Sequence, residues 1–111
     1  MNGLQVVEKV SGELSRRSER IRARIPVKLI WHEDMQRHLE ETQTVSVSQF
    51  GCLVRCSCSM QPGTTLLVER NGKCLLGTVS YCLKDYATKR VELGIGFEED
   101  SKDFWGIMFV A

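Results

Sequence analysis

The 111-residue chain is predicted to be mainly β: a small six-stranded antiparallel barrel with a short C-terminal helix and a flexible basic N-terminal arm. Three observations predict it. From Pro26 onward apolar residues recur at every second position, as half-buried strands require. The runs are short and separated by turn residues, and Asn71-Gly72 is the clearest of these because both residues tolerate the positive φ of a two-residue hairpin. Six such runs at close spacing favour closure, which removes the exposed strand edges that would otherwise pair with other chains.

Composition sets the outer bounds. With 42% apolar and 26% charged residues the chain reads as one globular domain with a modest core. No window approaches the roughly 18 to 20 apolar residues that cross a bilayer, and Met1 to Ser15 lacks an apolar block of signal-peptide length, so a cytoplasmic protein without membrane contact is expected. The five cysteines are odd in number and show no C-x-x-C pair, and neither His32 nor His38 sits at ligand spacing to them. Reduced thiols packed as small hydrophobes are expected, and no metal site.

Residues 1–15 form a lead-in in which Leu4, Val7, Val10 and Leu14 fall close to helical spacing, too few for stability without a surface to pack on. Residues 16–111 are read as the barrel domain, including an arginine arm at 16–24. Pro26 suits the first position of a strand, since it cannot donate to a ladder. Val27, Leu29 and Trp31 then point inward, and core packing is preferred to ligand stacking for Trp31. Glu33 to Leu39 is polar and aperiodic, which reads as a loop, and a second strand is expected from about Glu40 to Ser48 with Val45 and Val47 inward. The third, Cys52 to Cys56, turns Cys52, Val54 and Cys56 to one face. Thr64 to Arg70 and Lys73 to about Lys84 flank the Asn-Gly turn, the latter with Leu75, Gly77, Val79, Tyr81 and Leu83 on one face. In the last strand, Lys89 to Glu98, Val91, Leu93, Ile95 and Phe97 are inward, and Gly94 and Gly96 allow either a close approach or a barrel bend. Ser101 is placed to cap a helix whose Phe104, Ile107 and Met108 would lie on the sheet.

Charge is not spread evenly over this scaffold. Residues 16–28 hold six of the fifteen basic side chains against one acid, a local charge of +5 that leaves −4 on the other 98 residues. A cationic arm on a mildly acidic body points to an anionic partner. Arginine adds a planar fork matched to phosphate oxygens and to the guanine edge.

Two short patterns carry the chemistry. Arg20 and Arg24 stand four apart just before the first strand, and Ser46-Val47-Ser48-Gln49-Phe50-Gly51 ends the second on a glycine able to take a turn conformation closed to other residues. Together they resemble the PilZ family, bacterial receptors for cyclic di-GMP, whose members carry RxxxR before the first strand and [D/N]xSxxG at the end of the second. Glu92-Leu93-Gly94-Ile95-Gly96-Phe97 is similar to the family's late strand, so the resemblance runs from about residue 16 to the C-terminus. It departs from the pattern at Ser46, where the family places Asp or Asn.

The resemblance implies a receptor for cyclic di-GMP, with no further cofactor. In it Arg20 and Arg24 grip phosphate or guanine, Ser48 bonds through its hydroxyl, Gly51 shapes the turn and Ser46 stands at the guanine contact. Arg16 and Arg17, just outside the motif, reinforce the grip or only screen charge, and the arm orders on binding. A downstream protein partner is expected. Catalysis is not, because no nucleophile, base, metal set or phosphate loop occurs at a recognisable spacing. Two alternatives stay open. An eroded-motif member would act through protein contacts alone, whereas a non-specific nucleic-acid binder is disfavoured by the lack of exposed aromatics for base stacking.

Overall fold

The computed structural model describes residues 19–109; the lead-in, Arg16 and Arg17 lie outside the described residues. Seven strands follow in chain order: β1 (Ile21–Arg22), β2 (Pro26–Glu33), β3 (Gln36–Ser48), β4 (Gly51–Cys56), β5 (Thr65–Arg70), β6 (Lys73–Asp85) and β7 (Arg90–Phe97), before a four-residue helix, α1 (Lys102–Trp105). Antiparallel pairing runs β3-β2-β5-β6-β7-β4, and β4 pairs back onto β3. Six strands therefore close into the expected barrel, and β1 is one short strand added to β3.

The core follows the alternation. Val27, Leu29 and Trp31 of β2 are buried together with Cys52, Val54 and Cys56 of β4, and all four expected β7 residues join them. Trp31 is in the core as expected, with its indole stacked on His38 at 5.4 Å between ring centroids. The Asn71-Gly72 turn has both residues at positive φ, 51° and 78°, as its chemistry requires.

Five departures have local causes. No loop spans Glu33 to Leu39: Asp34 and Met35, at φ 55° and 63°, make a second two-residue turn, and β3 already begins at Gln36. A register shift between Thr44 and Ser46 leaves Val45 as an extra residue, so Thr44 and Val47 are buried where the alternation predicted Val45 and Val47. The same happens in β6, where a shift between Val79 and Tyr81 turns Tyr81 and Leu83 outward and brings Cys82 against the core. One inserted residue inverts a period of two, which no count of alternate positions detects.

The helix differs as well. Ser101 makes no side-chain cap, the helix stops at Gly106 in the left-handed region, and Phe104 and Trp105 carry the packing while Met108 is 90% exposed. Arg70 at the end of β5 donates to the Phe104 carbonyl at 2.6 Å, tying the helix to the barrel.

The arm is the fifth. It is anchored from Ile21 onward: Ala23 N–H donates to the Val45 carbonyl at 3.3 Å, Thr44 N–H to the Ile25 carbonyl at 3.0 Å, and Ile25 N–H to Thr44 Oγ1 at 2.9 Å. The Thr44 hydroxyl in turn donates to the Ala23 carbonyl. Ile21, Ala23 and Ile25 pack on the core, so residues 21–24 do not form the loose arm that the sequence suggests. The reason is again periodicity, since apolar and basic residues alternate across Ile21-Arg22-Ala23-Arg24-Ile25.

Candidate functional site

Two grooves open beside this anchored arm, and β3 contributes to both. The first, about 690 Å³, is lined by Arg20, by Ser46, Val47 and Ser48 of β3, by Phe50 and Gly51, and by residues of β4, β6 and β7. It unites four residues predicted from two separate patterns: Arg20, Ser46, Ser48 and Gly51. Arg24 is not among them. It lines the second groove, about 540 Å³, with Arg22, Arg55 and Arg90, against residues 42–45 of β3. Arg16 and Arg17 lie outside the described residues.

The turn from Ser48 to Gly51 is fixed from behind by the C-terminal segment. Ser101 N–H donates to the Gln49 carbonyl at 2.8 Å and the Ser101 hydroxyl to the same oxygen at 2.7 Å, while Phe97 N–H donates to the Phe50 carbonyl at 2.9 Å. Ser101 is fully buried, and fastening this turn is what its hydroxyl does in place of capping. Gln49 Nε2 also donates to Asp100 at 2.6 Å, and the Lys102 amide with that Gln49 contact holds the Asp100 carboxyl below its usual range.

Gly51 differs in mechanism from the expectation. Its φ is not in the left-handed region; a Cβ here would lie 2.7 Å from the Ile95 carbonyl oxygen on the neighbouring strand. A hydrogen in place of a side chain lets β4 and β7 close beneath the groove. Gly94 is covered by the Tyr81 ring, which an added Cβ would meet, so there the close approach is by a side chain of the same chain. Gly96, paired to Gly51, lines the groove itself.

Sequence reasoning missed Phe50, Ser80, Tyr81 and Glu98, which also line the first groove. Ser80 and Tyr81 are brought there by the β6 bulge, and no local signal announces them. Cys52 lies on the groove wall as well, and burial pushes its thiol up to about 12 from 9.0, so it stays neutral. Of the five cysteines, Cys52 and Cys56 are buried as expected, whereas Cys58 and Cys74 are exposed, and none is paired in a disulfide. Among the described residues no group of three His, Cys, Asp or Glu side chains converges as a metal site, and no helix is long and apolar enough to cross a membrane.

Comparison with known proteins bears on the fold. No family model matches the chain, and no curated protein does. A solved structure it is similar to is the inhibitor of motility MotI/DgrA of Bacillus subtilis, with a TM-score of 0.63 and 17% identity over 83% of this chain. The likeness covers 47% of that protein's chain, so the present chain spans about half its length. At this identity the barrel is what the two have in common.

Proposed function

We propose that the chain is a PilZ-type receptor module for cyclic di-GMP, a binding protein of the cytoplasm and not an enzyme. The observation that carries the reading is the first groove, in which the leading arginine of RxxxR and the serine and glycine of the second motif meet although Arg20 and Ser48 are 28 positions apart. Its volume falls in the range of small-ligand sites, roughly 300 to 1,000 Å³. Arg20 supplies a forked, charge-assisted grip on phosphate or guanine, Ser48 offers its hydroxyl, and the buttressed turn holds Ser48 without reorganisation. Arg24 faces the neighbouring groove, so it reaches the nucleotide only if the ligand extends over the arm.

Calorimetry with cyclic di-GMP tests this. Arg20→Lys keeps the charge and loses the fork, and should weaken binding about ten- to a hundredfold. Unchanged affinity in that variant sinks the assignment. Arg24→Lys then reports whether the nucleotide spans both grooves.

A second reading, an eroded-motif module acting through a protein partner, is favoured by two features of the same groove. Ser46 replaces the family's Asp or Asn, and Glu98 brings a carboxylate to the lining. That the similar structure is an inhibitor of motility is in keeping with a downstream protein target for either reading. Absence of any heat with cyclic di-GMP would select it.

A further inference from the structure

We infer that the second groove is an anion site in its own right, taking a phosphate-bearing ligand through Arg22, Arg24, Arg55 and Arg90. These four arginines come from three separate segments, the arm, β4 and β7, and none of the nine residues lining the groove is acidic. The first groove, by contrast, sets one arginine against Glu98.

The acids nearby do not neutralise the cluster. Glu92 pairs with Arg55 at 3.9 Å between Oε2 and Nε, with the two side chains 37% and 50% exposed, which makes the pair long, wet and weak. Asp85 stands opposite Arg90 in the β6–β7 register, but its Oδ1 accepts the Ala87 and Thr88 amides and so serves its own turn. Arg22, Arg24 and Arg90 have no ion pair among the described residues. Four guanidinium groups around one concavity repel each other unless an anion lies between them. Their planar forks match phosphate oxygens in pairs, and about 540 Å³ is room for a diphosphate or a nucleotide and more than a single ion needs.

The groove is also held open by the backbone. Residues Ala23 and Thr44, which line it, are fixed by the hydrogen bonds above, and the Thr42 hydroxyl donates to the Arg55 carbonyl. The arginine stems thus stand on rigid supports, which lowers the ordering cost of a ligand.

Inorganic pyrophosphate is the probe, followed by amide shifts in NMR titrations at physiological salt. Saturable binding is expected, with shifts at Ala23, Thr44, Arg55 and Arg90 and none at Gly51 or Gly96. Arg55→Gln and Arg90→Gln, both at exposed positions, should each weaken it about tenfold or more, and Glu92→Gln should tighten it severalfold by releasing Arg55. Arg20→Gln should leave it unchanged, and this holds whether or not cyclic di-GMP binds the first groove. Non-saturable shifts, shifts centred on the first groove, or equal losses in Arg20→Gln and Arg55→Gln would overturn the inference, since each outcome means diffuse screening and not a site.

Discussion

The two grooves lie on consecutive stretches of one strand: residues 42–45 of β3 line the arginine-rich one and residues 46–48 the motif groove, and the bulge at Val45 divides them. They differ in what makes them. The motif groove owes its shape to backbone, with a glycine pair, Gly51 and Gly96, where β4 meets β7 and a turn bonded to the C-terminal segment. The arginine groove owes its character to side-chain charge converging from segments far apart in sequence. A motif of the RxxxR kind says nothing about this division. In extended chain its two arginines sit on the same side but roughly 13 Å apart, far enough to serve different concavities.

The largest expected effect comes from what the grooves share. Thr44 is 2% exposed, and its hydroxyl satisfies both the Ile25 amide and the Ala23 carbonyl. Thr44→Val strands both groups and should cost about 3 kcal/mol in chemical denaturation. Faster hydrogen exchange at Ala23 and Ile25 should accompany it, with weaker binding of both cyclic di-GMP and pyrophosphate. Loss in one groove alone would show that the arm's two halves are anchored independently.

Gly51→Ala separates the grooves. The added methyl meets the Ile95 carbonyl, a backbone atom that cannot swing aside, and overpacking of this kind costs about 2 kcal/mol. Thermal melts should show the loss, cyclic di-GMP binding should fall, and pyrophosphate binding should persist.

A smaller effect is set by pH. The thiols of Cys52 and Cys56 are pushed up to about 12 from 9.0, chiefly by burial, so above pH 9 the unfolded chain releases these protons before the folded one does. The stability Cys52 contributes in this way is complete below pH 9 and is lost as pH rises toward 12, at about 1.4 kcal/mol per pH unit. Denaturation at pH 8, 9 and 10 should show a steeper decline in the wild type than in Cys52→Ala.

The smallest test concerns the departure from the family pattern. Ser46→Asp adds a carboxylate where a guanine edge would bring donors, and should tighten cyclic di-GMP by about 1 kcal/mol, roughly fivefold. Weaker binding in a side-by-side titration would place phosphate, not guanine, against position 46.

How much of this was legible in the residues varies with distance along the chain. The barrel, the Asn71-Gly72 turn and the inward faces of β2, β4 and β7 follow from alternation and turn chemistry, which act between near neighbours. Val45 and Ser80, the two bulged residues, are invisible to that reading because an extra residue looks like any other until the partner strand shows it has no opposite. The turn at Asp34-Met35 escaped for a related reason, since only Asp34 carries any preference for positive φ.

By itself, then, the sequence determined the six barrel strands, the closed sheet and the cationic arm, all consequences of local period and composition. Only the tertiary structure decided that the arm is a strand fastened to Thr44, that Ser101 secures the Ser48–Gly51 turn, and that Arg20 and Arg24 part company while Arg55 and Arg90 join the latter. The physical reason is register. Which side chains share a groove depends on how strands slide past one another, and that is settled by packing of the whole barrel at once.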